Sequence, residues 1–255
     1  LSGMLADDKT FAVGYLLGAD VILVLDEVKS EPQKWLSVRM TSVRHAVVLE
    51  ELFFPFPTSG LDAFCTTLIE NLNPSLRKAK LPLEQSLAIS ILGLRNILTH
   101  DRIMLEEYIN PLLSNRLNKI HHIYVVERER MNEILLEKIL SKQSTKEFLS
   151  GAILADGSIE ENFQTGQVRI ELRLRTPQAA KNYTIEGTRE DVDSLVAQLT
   201  QAISTYAGIS DKEIVWDKES EAREFIKKAE GWLHTKQYKK ALEMTNTAWA
   251  LGARD

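Results

Sequence analysis

The chain has 255 residues, of which 44% are hydrophobic and 26% are charged, a composition typical of a globular protein. Its formal net charge of −5 argues against a protein that captures DNA through a broad basic surface. The single cysteine, Cys65, excludes an intrachain disulfide and a metal cluster built from cysteines. We expect Cys65 to be a small hydrophobic residue buried in the core.

The first strongly apolar segment covers residues 11–25. It is shorter than a membrane span and contains Asp20. Asp7 and Asp8 precede it, where a signal peptide would carry basic residues. We therefore expect a cytoplasmic protein without membrane contact. The pattern of residues 11–28 is compatible with either a helix or a strand.

Residues 1–145 are predicted to form a helical bundle. Long apolar segments alternate there with prolines, glycines and polar capping residues, which are the usual signals of helix ends. Pro32 suits a first helical turn, and Ser59 stands three residues before Asp62 as in a capping box. The predicted helices span residues 33–54, 61–72, 82–110 and 112–140.

The sequence VILVLDE, at residues 21–27, looks like the strand of a nucleotide-hydrolysing enzyme that ends in magnesium-binding acids. That chemistry also needs a phosphate-binding loop with a Gly-Lys pair, and the chain contains no such pair. His121 and His122 are adjacent, so on a helix they point about 100° apart and do not form a metal-binding pair. We therefore predict neither a metal site nor a cofactor.

Arg95, Asn96 and His100 interrupt an apolar segment with the pattern R-N-x-x-x-H. This pattern resembles the signature of the HEPN superfamily, helical proteins that often dimerise and that include metal-independent ribonucleases. The resemblance implies that His100 acts as a general acid/base on a ribose 2′-hydroxyl, for which a pKa near neutrality is suited. It also implies that Arg95 holds the scissile phosphate and that Asn96 orients the phosphate or the histidine.

If residues 82–110 form a helix, Asn96 and His100 share a face that points away from its main leucine stripe. That face is compatible with a subunit interface. It is equally compatible with a buried hydrogen bond between Asn96 and His100 that joins two helices. A packing or capping cluster is therefore the alternative to a catalytic site.

Residues 146–208 are predicted to form a small antiparallel sheet with one helix. The sequence GQVRIELRLR alternates apolar and charged residues, as a half-buried strand does. Its charged face carries Arg169, Arg173 and Arg175, which suit a phosphate ligand or a carboxylate-rich partner. An ordinary solvated face with Glu171 among them is the simpler interpretation. ADGS predicts a turn, NYTIEG a second strand, and the segment after Thr188 an amphipathic helix.

Residues 209–255 are predicted to form a helical hairpin. The hairpin resembles one tetratricopeptide (TPR) repeat, in which large and small residues occupy fixed places in two antiparallel helices. Lys228, Lys236 and Ala253 depart from the pattern, where leucine, glycine and proline are usual. The residues that match it, and that we expect to pack the repeat or bind a partner, are Phe225, Ala229, Trp232, Tyr238, Ala241 and Ala248.

A single repeat cannot bury its own hydrophobic face, since repeat arrays need about three units for stability. Either the hairpin docks on the rest of the chain, or further repeats follow Asp255 in a longer protein. The chain begins with Leu1 rather than methionine, which favours the second possibility.

The sequence as a whole predicts a mainly α protein with a small α+β part. We expect a protein-interaction or regulatory adaptor within a larger multidomain protein, in a bacterial defence or signalling assembly. Its expected partners are proteins or adjoining domains, with a homodimer through the helical part as a further expectation. The alternative is a HEPN-type metal-independent ribonuclease or a relative without catalysis, and only this alternative implies RNA as a partner.

Overall fold

The computed structural model describes residues 18–29, 34–97, 105–126, 148, 151–209 and 215–254. These residues form five α-helices, one 3-10 turn and eight β-strands in two sheets. The prediction of a mainly α protein with an N-terminal helical bundle is therefore wrong, and the chain has a mixed α/β fold. For the same reason, neither a helical bundle nor a TPR-like repeat protein describes its class.

The chain divides into two compact units, each made of two segments. The first unit comprises Leu1–Ala88 and His121–Ser150, and the second comprises Ile89–Ile120 and Gly151–Asp255. The boundary between them falls inside a strand, β4, which runs from Leu87 to Asn96. Each unit contains a three-stranded antiparallel meander followed by a helix.

The meander of the first unit has its strands in the order β1-β2-β3. The elements of the first unit are β1 (Val21–Val28), β2 (Trp35–Ser42), β3 (Val47–Pro55), α1 (Leu61–Ala79), the 3-10 turn Leu83–Gln85 and β5 (Ile123–Val125). Residues 21–28, for which helix and strand were both open, are thus a strand. The helix predicted over residues 33–54 is wrong, because β2 and β3 occupy this range. Of the helix predicted over residues 112–140, residues 112–119 are helical, β5 interrupts the rest, and residues 127–140 lie outside the described residues.

Strand β2 shows why residues 33–54 do not form a helix. Leu36, Val38 and Met40 are buried in alternate positions along it. Alternation with a period of two places side chains on one face of a strand, whereas a helix would scatter them around its axis. The apolar segments on either side of a polar turn therefore form a hairpin of strands.

Helix α1 confirms the helix predicted at residues 61–72 and extends it to Ala79. It begins after Gly60, whose φ is 67°, rather than after a capping Ser59. Leu68 and Leu72 are buried on its inner face. Cys65 is exposed, so the expectation that it lies in the core is wrong.

The sheet of the second unit has its strands in the order β4-β6-β7-β8, with β4 parallel to β6 and the other pairs antiparallel. Its elements after β4 are α2 (Glu106–Lys119), β6 (Ile153–Asn162), β7 (Gln167–Arg175), β8 (Ala180–Thr188), α3 (Val192–Tyr206), α4 (Lys218–His234) and α5 (Tyr238–Ala250). Helices α2 and α3 pack against each other, and α3 covers β7 and β8.

Strand β4 replaces the helix predicted over residues 82–110. Ile89 and Leu94 are buried, and the strand pairs in parallel with β6. Parallel strands are covered on both faces and are therefore almost continuously apolar, so β4 lacks the alternation that would identify it as a strand. Helix α2 begins only at Glu106, and Pro111 lies within it without ending it.

The strand predicted from GQVRIELRLR is confirmed as β7, and NYTIEG lies within β8 as predicted. The turn predicted at ADGS is wrong, because these residues lie inside β6. Gly157 is needed there because a Cβ atom would collide with the backbone oxygen of Glu171 and lie 2.8 Å from Leu94 Cδ2. Helix α3 is capped by Asp191, not Thr188: the Asp191 side chain accepts a hydrogen bond from the Ser194 N–H.

Candidate functional site: the C-terminal helical hairpin

Helices α4 and α5 form a hairpin joined by residues 235–237. The Asp217 side chain caps α4 by accepting a hydrogen bond of 3.1 Å from the Ser220 N–H. Lys236 in the turn has a φ of 60°, a conformation that glycine adopts most easily. The turn therefore has left-handed geometry at a residue that is not glycine.

The inner face of the hairpin contains most of the residues selected from the sequence. Small alanines allow close packing, while a large aromatic residue fills the space between them. Tyr238 differs from the others, since 64% of its surface is exposed. The buried members of the set are Phe225, Ala229, Trp232, Ala241 and Ala248.

The hairpin docks on the α/β part of its own unit, which was one of the two alternatives drawn from the sequence. Helix α5 packs against α2. The Asn246 amide on α5 donates a hydrogen bond of 3.2 Å to the Glu107 carboxylate on α2. The apolar inner face of the hairpin is thereby covered within the unit.

Arg116 on α2 is the centre of this contact. Its guanidinium is completely buried and donates to the Glu221 carboxylate of α4, with a shortest distance of 2.7 Å. It also donates to the backbone oxygen (3.1 Å) and to the side chain of Asp193 at the start of α3. The Trp216 ring lies 5.0 Å from the guanidinium carbon. One side chain therefore joins three helices.

A second ionic cluster lies beside Arg116. The Glu224 carboxylate accepts hydrogen bonds of 2.7 Å from both Lys119 on α2 and Lys228 on α4. Lys228 also donates to the Asn115 side chain at 3.0 Å. Burial by itself would raise the pKa of Glu224, but Lys228 and Lys119 together lower that pKa to about 2. The carboxylate is thus ionised at neutral pH.

The outer face of α5 carries three large apolar side chains in the open. Tyr238, Leu242 and Trp249 are 64%, 59% and 56% exposed. With the exposed Thr245 they follow a spacing of four, three and four residues, which places them on one side of the helix. We call Tyr238, Leu242 and Trp249 the α5 stripe. Leu233, in the last turn of α4, is also 52% exposed.

The structure does not bring the predicted ribonuclease residues together on a helix. Arg95 is exposed near the carboxyl end of β4, and Asn96 ends that strand. The Asn96 backbone N–H donates a hydrogen bond of 2.6 Å to the Glu106 carboxylate. His100 lies outside the described residues.

The arginines of β7 lie on an exposed face, where acidic side chains neutralise them. Arg169 pairs with Glu171 at 2.7 Å, and Arg173 pairs with Asp156 at 2.8 Å. Arg175 pairs with Asp156 as well. This arrangement favours the solvated mixed-charge face over a phosphate site.

A buried polar cluster around His45 was not recognised from the sequence. His45 Nδ1 lies 2.8 Å from Ser42 Oγ, and its Nε2 lies 2.9 Å from Ser86 Oγ. The imidazole stacks on Tyr124 with ring centroids 3.9 Å apart. Burial, with the charges of Arg44 and Lys78 nearby, lowers the pKa of His45 to about 4. No spacing predicts this cluster, since Ser86 and Tyr124 are far from His45 in sequence.

Lys78 borders the same cluster. Its ammonium lies 5.0 Å from the centre of the Tyr124 ring, and the Tyr124 hydroxyl donates to the Lys78 backbone oxygen. Burial lowers the pKa of Lys78 to about 7, although the Glu50 carboxylate opposes this effect. His121 and His122 lie in a turn rather than on a helix. Within the described part of the chain, no group of histidine, cysteine and acidic residues could hold a metal ion.

No protein-family model matches this sequence, and the comparison with curated proteins gives no significant match. Among the residues that the structure describes, no helix is both long enough and apolar enough to cross a membrane.

Proposed function

We propose that the protein is an interaction adaptor and that the α5 stripe is its binding surface. The observation that carries the proposal is the exposure of Tyr238, Leu242 and Trp249 on one side of one helix. Contiguous exposed apolar surface on a folded protein is typical of a protein–protein interaction site. Tyrosine and tryptophan are also the residue types that contribute most to binding energy at interfaces.

The anchoring of the hairpin supports the same proposal. Helix α5 packs on α2, and Arg116 joins α2 to α4 through the buried Glu221. A surface that is rigid before binding avoids much of the entropic cost of ordering on association. The stripe therefore has the properties of a preformed docking surface. We propose that this interaction takes place in the cytoplasm, the compartment expected from the sequence.

The described residues give no support to the ribonuclease alternative. Its residues were expected on one helix, and no feature of the described residues favours RNA cleavage. Arg95 and Asn96 instead lie on β4.

The proposal is tested by replacing the stripe and measuring the affinity for a purified partner. Proteins enriched on the immobilised chain are identified, purified and titrated calorimetrically against the wild-type chain. We expect Leu242→Ser and Trp249→Ser each to weaken binding by about 10- to 30-fold, because each removes a large apolar contact.

The control is Ile69→Ser, which removes an equally exposed apolar side chain (60%) from α1 in the first unit. It should leave the affinity unchanged. Equal affinity of the wild type and both stripe variants for every purified partner would contradict the proposal. Circular dichroism of each variant verifies that the fold is retained.

A further inference from the structure

We infer that the partner segment that covers the α5 stripe is an acidic amphipathic helix. This inference rests on the proposed function, since it concerns the same surface. It is carried by the charge of the segment around the stripe and by the geometry of the stripe itself.

The segment that contains the stripe is basic although the whole chain is acidic. Residues 236–255 contain four basic residues, Lys236, Lys239, Lys240 and Arg254, and two acidic residues, Glu243 and Asp255, which gives a net charge of +2. The whole chain carries −5. A local charge opposite to that of the whole molecule attracts a partner of complementary charge and repels one of like charge.

These cations stand next to the apolar side chains. The Arg254 guanidinium lies 5.0 Å from the centre of the Trp249 ring. Lys236 and Lys239 flank Tyr238 in the sequence, and the Lys239 side chain is 93% exposed. The nearest acid to Lys239, Glu243, lies 4.0 Å away, a distance at which an exposed pair gains little. The charge of Lys239 therefore remains largely available to a partner, whereas the Lys240 ammonium lies over the Trp232 ring at 4.2 Å and Arg254 donates to the Trp249 backbone oxygen at 3.0 Å.

The start of α5 adds to this positive potential. Gln237, the N-cap residue, makes no side-chain hydrogen bond to the helix. The first N–H groups of a helix have no partner within the helix, and the helix dipole is positive at this end. Acidic side chains of a partner would therefore receive the strongest electrostatic stabilisation near Lys236, Lys239 and Lys240.

The geometry favours a helix as the partner segment. The spacing of four, three and four residues forms a seam along one side of α5, and such seams pack against a second helix, as in coiled coils. The backbone of a helix is already hydrogen-bonded, so α5 offers no edge for an added strand. A second copy of the chain is disfavoured, because two facing stripes would bring two basic segments together.

The test uses three helical peptides of about 20 residues, a length at which a helix of strong helix-forming residues is populated in water. The peptides share one leucine face and carry glutamate, glutamine or lysine at their polar positions. Fluorescence anisotropy measures their affinity for the full chain. We expect the glutamate peptide to bind about tenfold more tightly than the glutamine peptide, and the lysine peptide most weakly. Salt at about 0.5 M should reduce these differences, because it screens exposed charges.

Charge reversal at the surface should reverse this preference. The Lys236→Glu/Lys239→Glu variant is expected to bind the lysine peptide more tightly than the glutamate peptide. Lys181→Glu, which makes the same kind of change at an exposed position on β8, should keep the wild-type order. Trp249→Ser should weaken all three peptides.

The outcomes separate the two proposals. Equal affinity for all three peptides overturns the acidic partner but leaves the α5 stripe as a binding surface. Failure of every peptide to bind, or unchanged binding by Trp249→Ser, contradicts the proposed function itself. A dimer of the wild type that becomes monomeric in Trp249→Ser overturns the inference in favour of self-association.

Discussion

The hydrogen bonds of His45 define the protonation state of its imidazole. The Ser86 hydroxyl donates to the Pro82 backbone oxygen at 2.7 Å, so its oxygen accepts a hydrogen bond from His45 Nε2–H. Nδ1 then accepts from the Ser42 hydroxyl. Both ring nitrogens of His45 and both serine hydroxyls thus have hydrogen-bond partners when the ring is neutral. This agrees with the lowered pKa of His45.

This arrangement predicts that acid destabilises the first unit. The pKa of His45 falls from 6.5 to about 4 on folding, so the unfolded chain binds the proton more readily. The stability that the neutral ring provides is complete above pH 6.5 and decreases as the pH falls towards 4, by up to about 3 kcal/mol. Hydrogen exchange of the β2 and β3 amides, measured between pH 7.5 and 4.5 and corrected for intrinsic rates, should show this loss.

His45→Gln should remove most of this pH dependence, because the replacement does not titrate. His234→Gln, a change at the end of α4 in the second unit, serves as the control and should preserve it. An identical pH dependence in wild type and His45→Gln would contradict the assignment to His45.

Residue-level features differ in how well the sequence predicts them. The alanines of the hairpin were recognisable because their spacing is local. The environment of His45 was not, since Ser86 and Tyr124 reach it only after folding. The exposure of Cys65 was missed for the same reason: residue type alone does not decide which face of α1 is covered.

At the scale of elements, local periodicity decided which predictions succeeded. Strand β7 alternates with one face buried, and α1 lies between clear end signals, so both were predicted correctly. Strand β4 was mistaken for a helix because an apolar strand covered on both faces has no alternation. Its leucine spacing then agreed with a helical stripe by coincidence.

The contacts of Arg116 predict how much this residue contributes to the stability of the docked hairpin. Arg116→Met should lower the free energy of unfolding by about 3–5 kcal/mol, because the buried Glu221 carboxylate keeps only the more distant Lys119 ammonium, 3.9 Å away, as a charge partner. The double variant Arg116→Met/Glu221→Leu should recover most of this loss, since the carboxylate that still loses its partner, Asp193, is one-third exposed rather than buried. Urea denaturation followed by tryptophan fluorescence measures both.

An exposed ion pair on the same helix provides the control. Arg223 and Glu219 on α4 are 3.8 Å apart and mostly solvated. Arg223→Met should therefore change the free energy of unfolding by no more than about 0.5 kcal/mol. If Arg116→Met were as mild as this control, Arg116 would not be what holds the three helices together.

At the scale of the whole molecule, both units expose large apolar side chains. Leu25, Leu61 and Ile69 are exposed in the first unit, and the α5 stripe in the second. Leu25 pairs with the buried Val38 across β1 and β2, so it lies on the inner face of the sheet. It is nevertheless exposed there, on the edge strand β1. A net charge far from zero opposes association through such surfaces.

We therefore expect reversible association near the isoelectric point, about 5.7, where the net charge vanishes. Light scattering should rise as the pH falls from 8 towards this value, and should fall again when the pH is restored. Far-UV circular dichroism recorded in parallel distinguishes association of folded protein from acid unfolding. A scattering signal that stays constant through this range would contradict the prediction.

The sequence by itself determined the elements whose pattern is local: helix α1, the alternating strands β7 and β8, helix α3 and the hairpin of α4 and α5. Short-range periodicity and end signals suffice for these, because each element meets a single apolar surface. Only the tertiary structure decided that β4 is a strand, since its partner β6 comes from a distant part of the chain. It also decided that Arg116 meets Glu221, 105 residues away, and that α5 packs on α2. The physical reason is that burial depends on what covers a residue, and residues distant in sequence provide that cover.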